Sequence, residues 1–472
     1  MSEPFSTATI DALARQFREP AWLTELRRAA LHRHAELPWP HASDDIWRRT
    51  DVSLLDPRRG FSPVRPDLLQ SVRLSDAQLA ALTTPLGNEQ LIARANGAWV
   101  TPPPATSPLA TLDPAAERRR GAAAVTGGGV TERMPPGITV EELTQAAIAT
   151  PDPIRAAIES DGMTEAEQKL ASLNRAFHHD GLVVRVPPGF AGTVPLRLVR
   201  FFSVTGRQAI FPLTLITVGA GSSVTLIDEQ ISVEQEPARG ELPEPPAPHL
   251  INGRIELLLE PDAAVHYVRL QRWGSQAREF LLQRATLARG ATLTMANINL
   301  GAALSKAHVV ARLTGEHAST KLYGFVFGRR HQHIDQHTLQ DHQAPHTTSD
   351  LQFKAALQDH SRMIYTGLIR IAQRAQQTNA YQSNHNLLLS QTARAETIPM
   401  LEILADDVQC KHGASAGPID DEQTFYLMSR GVPREMAQRL IVMGFIEPIL
   451  QQVPFEPLQE RLRREIEGSL LP

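Results

Sequence analysis

The chain has 472 residues, 42% of them hydrophobic and 21% charged, a composition that suits a folded protein of two or three domains with a large core. Its formal net charge of -4 leaves no basic excess to hold nucleic acid, and no run approaches the roughly 18 apolar residues that cross a bilayer. The single cysteine, Cys410, excludes an internal disulfide and any zinc site built on several thiolates.

The N-terminus lacks the charged-then-apolar layout of a signal peptide, so a cytoplasmic chain is expected. Trp22, Leu23, Leu26, Ala29 and Ala30 recur at helical spacing, and the first hundred residues read as helical. Residues 74–82 predict a short helix capped by Ser75 or Asp76. Residues 101–137 are rich in Pro, Ala and Gly and predict a linker, because they cannot bury enough apolar surface to offset ordering. Helical periodicity resumes over 140–149 and 165–177.

From about Gly181 the pattern becomes alternating and β-branched, as in residues 182–186, 213–218 and 224–227. Small-residue turns recur at Gly219-Ala-Gly221, Pro261-Asp-Ala263, Arg289-Gly-Ala291 and Gly315-Glu-His317. The later ones lie about 26 to 28 residues apart, and the longer first gap contains a Pro/Glu-rich insertion at 233–249. A strand-and-turn repeat of this period predicts a solenoid whose coils bury an inner row of Val, Ile and Leu. A β-sandwich or barrel stays open on pattern alone.

The strands run out near Ala416. Asp420-Asp-Glu-Gln423 predicts a helix start with a D-x-x-Q capping box, and Gly431 its end. Pro433 fits the first turn of the next helix, where Met436, Leu440 and Met443 form a stripe that Gly444 closes. A last helix carries Phe455, Leu458, Leu462 and Ile466 on one face.

Neither a Walker A pattern nor a complete G-x-G-x-x-G is present, so ATP hydrolysis by a P-loop and a dinucleotide fold have no support. Gly413-Ala-Ser-Ala-Gly417 matches the nucleophile elbow G-x-S-x-G, although Pro418 and Ile419 separate Ser415 from the next helix. The densest histidine cluster is His331, His333, His337, His342 and His346, with Asp335 and Asp341. On a strand His333, Asp335 and His337 share one face and could hold a divalent metal; a polar outer face of a solenoid or a protein interface is the plainer reading, with Arg329, Arg330 and Gln336 as solvated surface. Cys410 and His412, at i and i+2, likewise share a face if 401–412 is a strand. Thiolate and imidazole both bind iron–sulfur clusters, but two ligands cannot complete the usual four, so a second chain would supply the rest. A buried structural cysteine is the alternative.

The segment Leu401-Glu-Ile-Leu-Ala-Asp-Asp-Val-Gln-Cys-Lys-His-Gly-Ala414, followed by Phe425-Tyr-Leu-Met-Ser-Arg-Gly431, closely resembles the SufB/SufD family, and its Cys-x-His-Gly-Ala form resembles the SufD branch. Residues 382–390, 333–337 with Pro345-His346, and Trp47-Arg-Arg-Thr-Asp51 are similar to the same family, most strongly from about residue 180 onward. The resemblance implies a mainly β fold: a right-handed parallel β-helix core (179–417) between an N-terminal helical region (1–178) and a C-terminal helical domain (418–472). It also implies a non-catalytic scaffold of the SUF iron–sulfur assembly system. Such subunits pair with SufB and dock a SufC ATPase through the C-terminal helices, here Phe425, Tyr426, Arg430, Met436, Leu440, Met443 and Phe445. A transient cluster would be shared at the SufB–SufD interface, with His412 as the carried-over ligand and Cys410 beside it. The chain alone would hold no stable cofactor. Self-pairing and reduced flavin are left open by the residues. Two rival readings are a β-helix hydrolase or lyase, disfavoured by 5% aromatics, and a divalent-metal binder.

Overall fold

The computed structural model describes residues 4–44, 46–64, 74–101, 137–160, 162–204, 206–234 and 247–470. Most of the expected linker at 101–137 and of the insertion at 233–249 lies outside the described residues.

The N-terminal region opens with α1 (Thr7–Phe17) and α2 (Ala21–Glu36). After β1 (Ser62–Pro63) comes α3 (Asp76–Thr83). Ser75 caps it: its Oγ accepts from the Gln78 N–H at 3.2 Å, and Gln78 Oε1 accepts from the Ser75 N–H at 2.9 Å. Residues 90–99 correct the all-helical expectation, because β2 (Gln90–Ala95) and β3 (Ala98–Trp99) are strands. The stretch expected to be helical from Val140 begins as β4 (Thr139–Glu142) before α4 (Leu143–Ala149). Then follow α5 (Pro151–Ile158) and α6 (Glu165–Phe177), the latter opened by a Thr164–Glu167 capping box.

The chain then alternates between two sheets. The first strands are β5 (Asp180–Val186), β6 (Leu196–Val204), β7 (Gln208–Ile210), β8 (Pro212–Val218) and β9 (Ser223–Glu234). Next come β10 (His249–Leu259), β11 (Ala264–Arg272), β12 (Ala277–Leu287), β13 (Thr292–Asn299), β14 (Leu304–Leu313) and β15 (Ser319–Gly328). The run ends with β16 (His333–His342), β17 (Thr348–Leu357), β18 (Arg362–Ile371), β19 (Thr378–Leu388), β20 (Arg394–Ile403) and β21 (Val408–Pro418). One sheet has the order β20-β18-β16-β14-β12-β10-β8-β5-β4 and the other β21-β19-β17-β15-β13-β11-β9-β6-β2-β3. Neighbours from β5 to β21 are parallel, which makes a β-solenoid of about 8 turns.

The repeated turns stack at one corner of this solenoid. Gly221 N–H donates to Pro261 O at 2.9 Å, Asp262 N–H to Arg289 O at 2.8 Å and Gly290 N–H to Glu316 O at 2.9 Å. His346 N–H then donates to Gln376 O at 2.9 Å. The spacing seen in the sequence is therefore the rise of one coil.

Between the sheets runs a core of inward side chains, among them Val184, Ile216, Leu257, Leu293, Val309, Leu351 and Phe353. Helix α6 packs Leu170, Leu173 and Phe177 on the outside of the even-numbered sheet, against Phe280 and Leu282.

C-terminal helices cover the outside of the odd-numbered sheet. They are α7 (Asp421–Ser429), α8 (Arg434–Leu450) and α9 (Glu456–Ser469). Asp420 caps α7 by accepting from the Glu422 N–H at 2.8 Å, rather than through the expected box with Gln423. Helix α8 does not stop at Gly444. Val442, Ile446, Ile449 and Leu450 pack on Val268, Ala296 and Phe325, and that burial carries the helix through the glycine. No described helix is long and apolar enough to cross a membrane.

Candidate functional site at the open end of the solenoid

Among the described residues both sheets end in unpaired edges, β20 in one and β21 in the other. The expected continuous strand over 401–412 is instead the end of β20, a break, and the start of β21. Cys410 pairs in register with Ala380 and His412 with Gln382, which pair in turn with Ser349 and Leu351. Leu351 belongs to the inner core, so Cys410 and His412 continue its inward-facing face on the last coil. Lys411, in register with Tyr381, has the opposite face.

The two inward residues differ in environment. His412 is exposed, with its ring at the open end. Cys410 is half-buried and packs against a small cluster of Ile369, Ile371, Ala375, Ala380 and Ala405. Burial pushes its thiol above the ordinary value, with the Ala380 backbone hydrogen bond only partly opposing this. The thiol is therefore held further from its thiolate form than a free cysteine. Leu401, Ile403 and Leu404, near the end of β20, leave an apolar rim that is 38–61% exposed.

The histidine cluster comes apart in three dimensions. His331 stacks on His360 and His346 on His317 at solenoid corners, each pair with ring centroids 5.0 Å apart. His342 faces inward and bonds Thr347 and Ser349. His333, Asp335 and His337 do share one face of β16, but that face lies under the N-terminal region rather than in solvent. Lys306 Nζ donates to Asp335 Oδ2 at 2.7 Å, and Thr50 Oγ1 donates to the same oxygen. Burial opposes ionisation of Asp335, yet Lys306 and Thr50 hold its carboxyl below the usual range. The expected metal set is thereby corrected: its carboxylate is committed to an ion pair. Among the described residues no three His, Cys, Asp or Glu side chains are placed to hold a metal ion. Gln336, taken from sequence as surface, is buried.

Ser415 is likewise reassigned. It lies within β21, not at a strand-to-helix turn, so the elbow geometry is not formed. Its Oγ is 2.7 Å from His385 Nδ1.

A second exposed surface lies on the C-terminal helices. Phe425 and Tyr426 are 72% and 57% exposed, and Met436 and Leu440 are 44% and 49% exposed. Arg430 lies over the Tyr426 ring at 5.3 Å. A groove of about 430 Å3 between α7 and α8 is lined by Asp420, Glu422, Tyr426, Leu427 and Ile441. Met443 and Phe445, expected on the same surface, turn instead toward the solenoid.

Several buried charged residues escaped the sequence reading. Glu229 of β9 accepts from Arg197 at 2.8 Å and Arg272 at 3.1 Å and forms an ion pair with Arg461 at 2.9 Å, tying α9 to the solenoid. Alternation marks Glu229 as one residue of a strand, and nothing in its local sequence announces three arginines from elsewhere.

The family description "SUF system FeS cluster assembly, SufBD core domain" matches residues 201–445. The chain is similar to an "Iron-sulfur cluster assembly SufBD family protein" of Staphylococcus saprophyticus, at 27% identity over 309 residues, covering 65% of this chain and 64% of that protein. A namesake from Staphylococcus aureus is 28% identical over the same length and shares. One from Mycobacterium leprae is 28% identical over 291 residues, 61% of this chain and 32% of that longer protein. The chain thus spans just under two thirds of the staphylococcal relatives. A parallel β-solenoid with helices at both termini and a core match across more than half its length make this chain a member of the SufBD family of iron–sulfur cluster assembly proteins.

Proposed function

We propose that the chain is a non-catalytic scaffold subunit of the SufD kind. It pairs through the open end of its solenoid with a SufB-type paralogue, and an iron–sulfur cluster is assembled as cargo at that interface. The observation that carries this reading is the exposed imidazole of His412 on an inward-facing column of an unpaired edge strand. Two side chains from one strand supply at most two ligands, so a second chain has to complete the set. An edge strand is also a ready template for main-chain pairing with another chain. The exposed apolar face of α7 and α8 supports docking of a SufC-type ATPase there, in keeping with the missing P-loop in this chain.

The test is co-expression of the chain with its SufB- and SufC-type partners, followed by iron and acid-labile sulfide analysis of the purified complex. His412→Ala is expected to lower both several-fold while leaving the melting temperature of the chain unchanged, because the ring is exposed. Unchanged loading would overturn the assignment.

A further inference from the structure

Three neighbouring strands place Lys354, His385 and Ser415 in one cross-strand row. Lys354 of β17 pairs in register with His385 of β19, and His385 with Ser415 of β21. The row lies on the outer face of the sheet, opposite the inward column that holds Cys410 and His412. At its inner end Lys354 Nζ donates to the Phe445 carbonyl of α8 at 2.7 Å and lies 4.8 Å from the Phe445 ring centroid. At its outer end the His385–Ser415 hydrogen bond holds the edge strand. Asn386 Nδ2 adds a bond of 3.2 Å to the Ser415 carbonyl. Burial and the adjacent Lys354 charge keep the His385 imidazole below its ordinary pKa, hence neutral beside the ammonium.

We propose that the row Phe445–Lys354–His385–Ser415 couples the position of helix α8 to the edge strand β21, and through it to His412 three residues away. Among the described residues β21 has a strand on one side only, so its side-chain ties to β19 carry more of its positioning than they would in a central strand. A shift of α8 moves the Phe445 carbonyl and ring, Lys354 follows its two contacts, and the charge beside His385 changes. His385 then alters its hold on Ser415. Lys354, His385 and Ser415 are positioning residues: none of them is on the face that carries the candidate ligands. The physical link stands on this chain alone. Its role in regulating cluster assembly rests on the proposed function.

The test uses the full chain without partners and exploits Cys410, the only thiol, as a reporter two residues from His412. Its alkylation rate is measured, together with amide hydrogen exchange over 408–418. Phe445→Leu is expected to speed alkylation about five-fold in the wild-type background and to change it less than about two-fold in a His385→Ala background, since coupled residues give non-additive effects. His385→Asn, whose amide can still bond Ser415 Oγ, should restore the response. Equal fold-changes in both backgrounds, or no change in either, overturn the coupling. Circular dichroism checks folding, and Lys354→Met enters the same cycle if Phe445→Leu loosens the chain. A null result here leaves the scaffold reading standing. Unchanged iron and sulfide loading in the His412→Ala complex alongside an intact cycle would overturn only that reading.

Discussion

Arg461 of α9 lies 2.9 Å from the buried carboxylate of Glu229 on β9. Burial alone would raise the Glu229 pKa; Arg461, Arg197 and Arg272 together reverse that and hold it at about 2, against an ordinary 4.5. This carboxylate thus helps fasten the last helix to the solenoid wall, beside the Arg272–Glu465 pair and the packing of Leu458, Leu462 and Ile466.

Acid should release that fastening. A carboxyl depressed in the folded state contributes stability that is complete above its unfolded pKa and lost as pH falls through the folded one. The window here runs from about 4.5 down to about 2, and the contribution is on the order of 3 kcal/mol. Glu229→Gln should be less stable than wild type at pH 7, and its melting temperature should fall less between pH 5 and pH 3. Thermal melts at the three pH values check this; parallel pH dependence of the two proteins would contradict it.

Asp335 invites a comparison of two substitutions. Asp335→Ala leaves the fully buried Lys306 without its carboxylate, a loss of about 3–5 kcal/mol. Asp335→Asn keeps the shape and the Thr50 contact and should cost less. Zinc added to the wild-type chain should leave urea denaturation unmoved. A zinc-dependent stabilisation abolished by His337→Ala would reinstate the metal reading.

The exposed helical face makes the opposite kind of prediction. Phe425→Ser and Leu440→Ser should change stability by no more than about 0.5 kcal/mol, because both side chains are in solvent. Binding of the SufC-type ATPase should weaken about tenfold or more if these are anchor residues. Calorimetric titration gives the affinity; normal binding by both variants would move the docking surface elsewhere.

Local patterns proved legible where local forces decide. The Ser75 cap, the α6 boundaries and the stacked turns at Gly221, Asp262 and Gly290 all follow from residues close in sequence. Failures came where distant partners decide. β2 is a strand because it lies along β6, about a hundred residues later. Gly444 fails to end α8 because the solenoid wall buries the residues beyond it. The candidate site divides the same way. Alternation put Cys410 and His412 on one face, but only the register with Ala380 and Gln382 shows that this face points inward, and only the sheet order shows an edge. The row through His385 was invisible: residues 354, 385 and 415 are about one coil apart, but only the register shows that they line up.

The two ends of the solenoid are unequal, and that sets a limit on growth. At the first coil the described sheets finish in antiparallel strands of four and two residues, β4 and β3. At the last they finish in parallel strands of ten and eleven. Among the described residues the long parallel edges are the ones that offer a template. Two such ends that met would use each other up, leaving short antiparallel strands at the far ends. A solenoid is a shape that invites filaments; unequal ends of this kind favour a pair over a chain of copies.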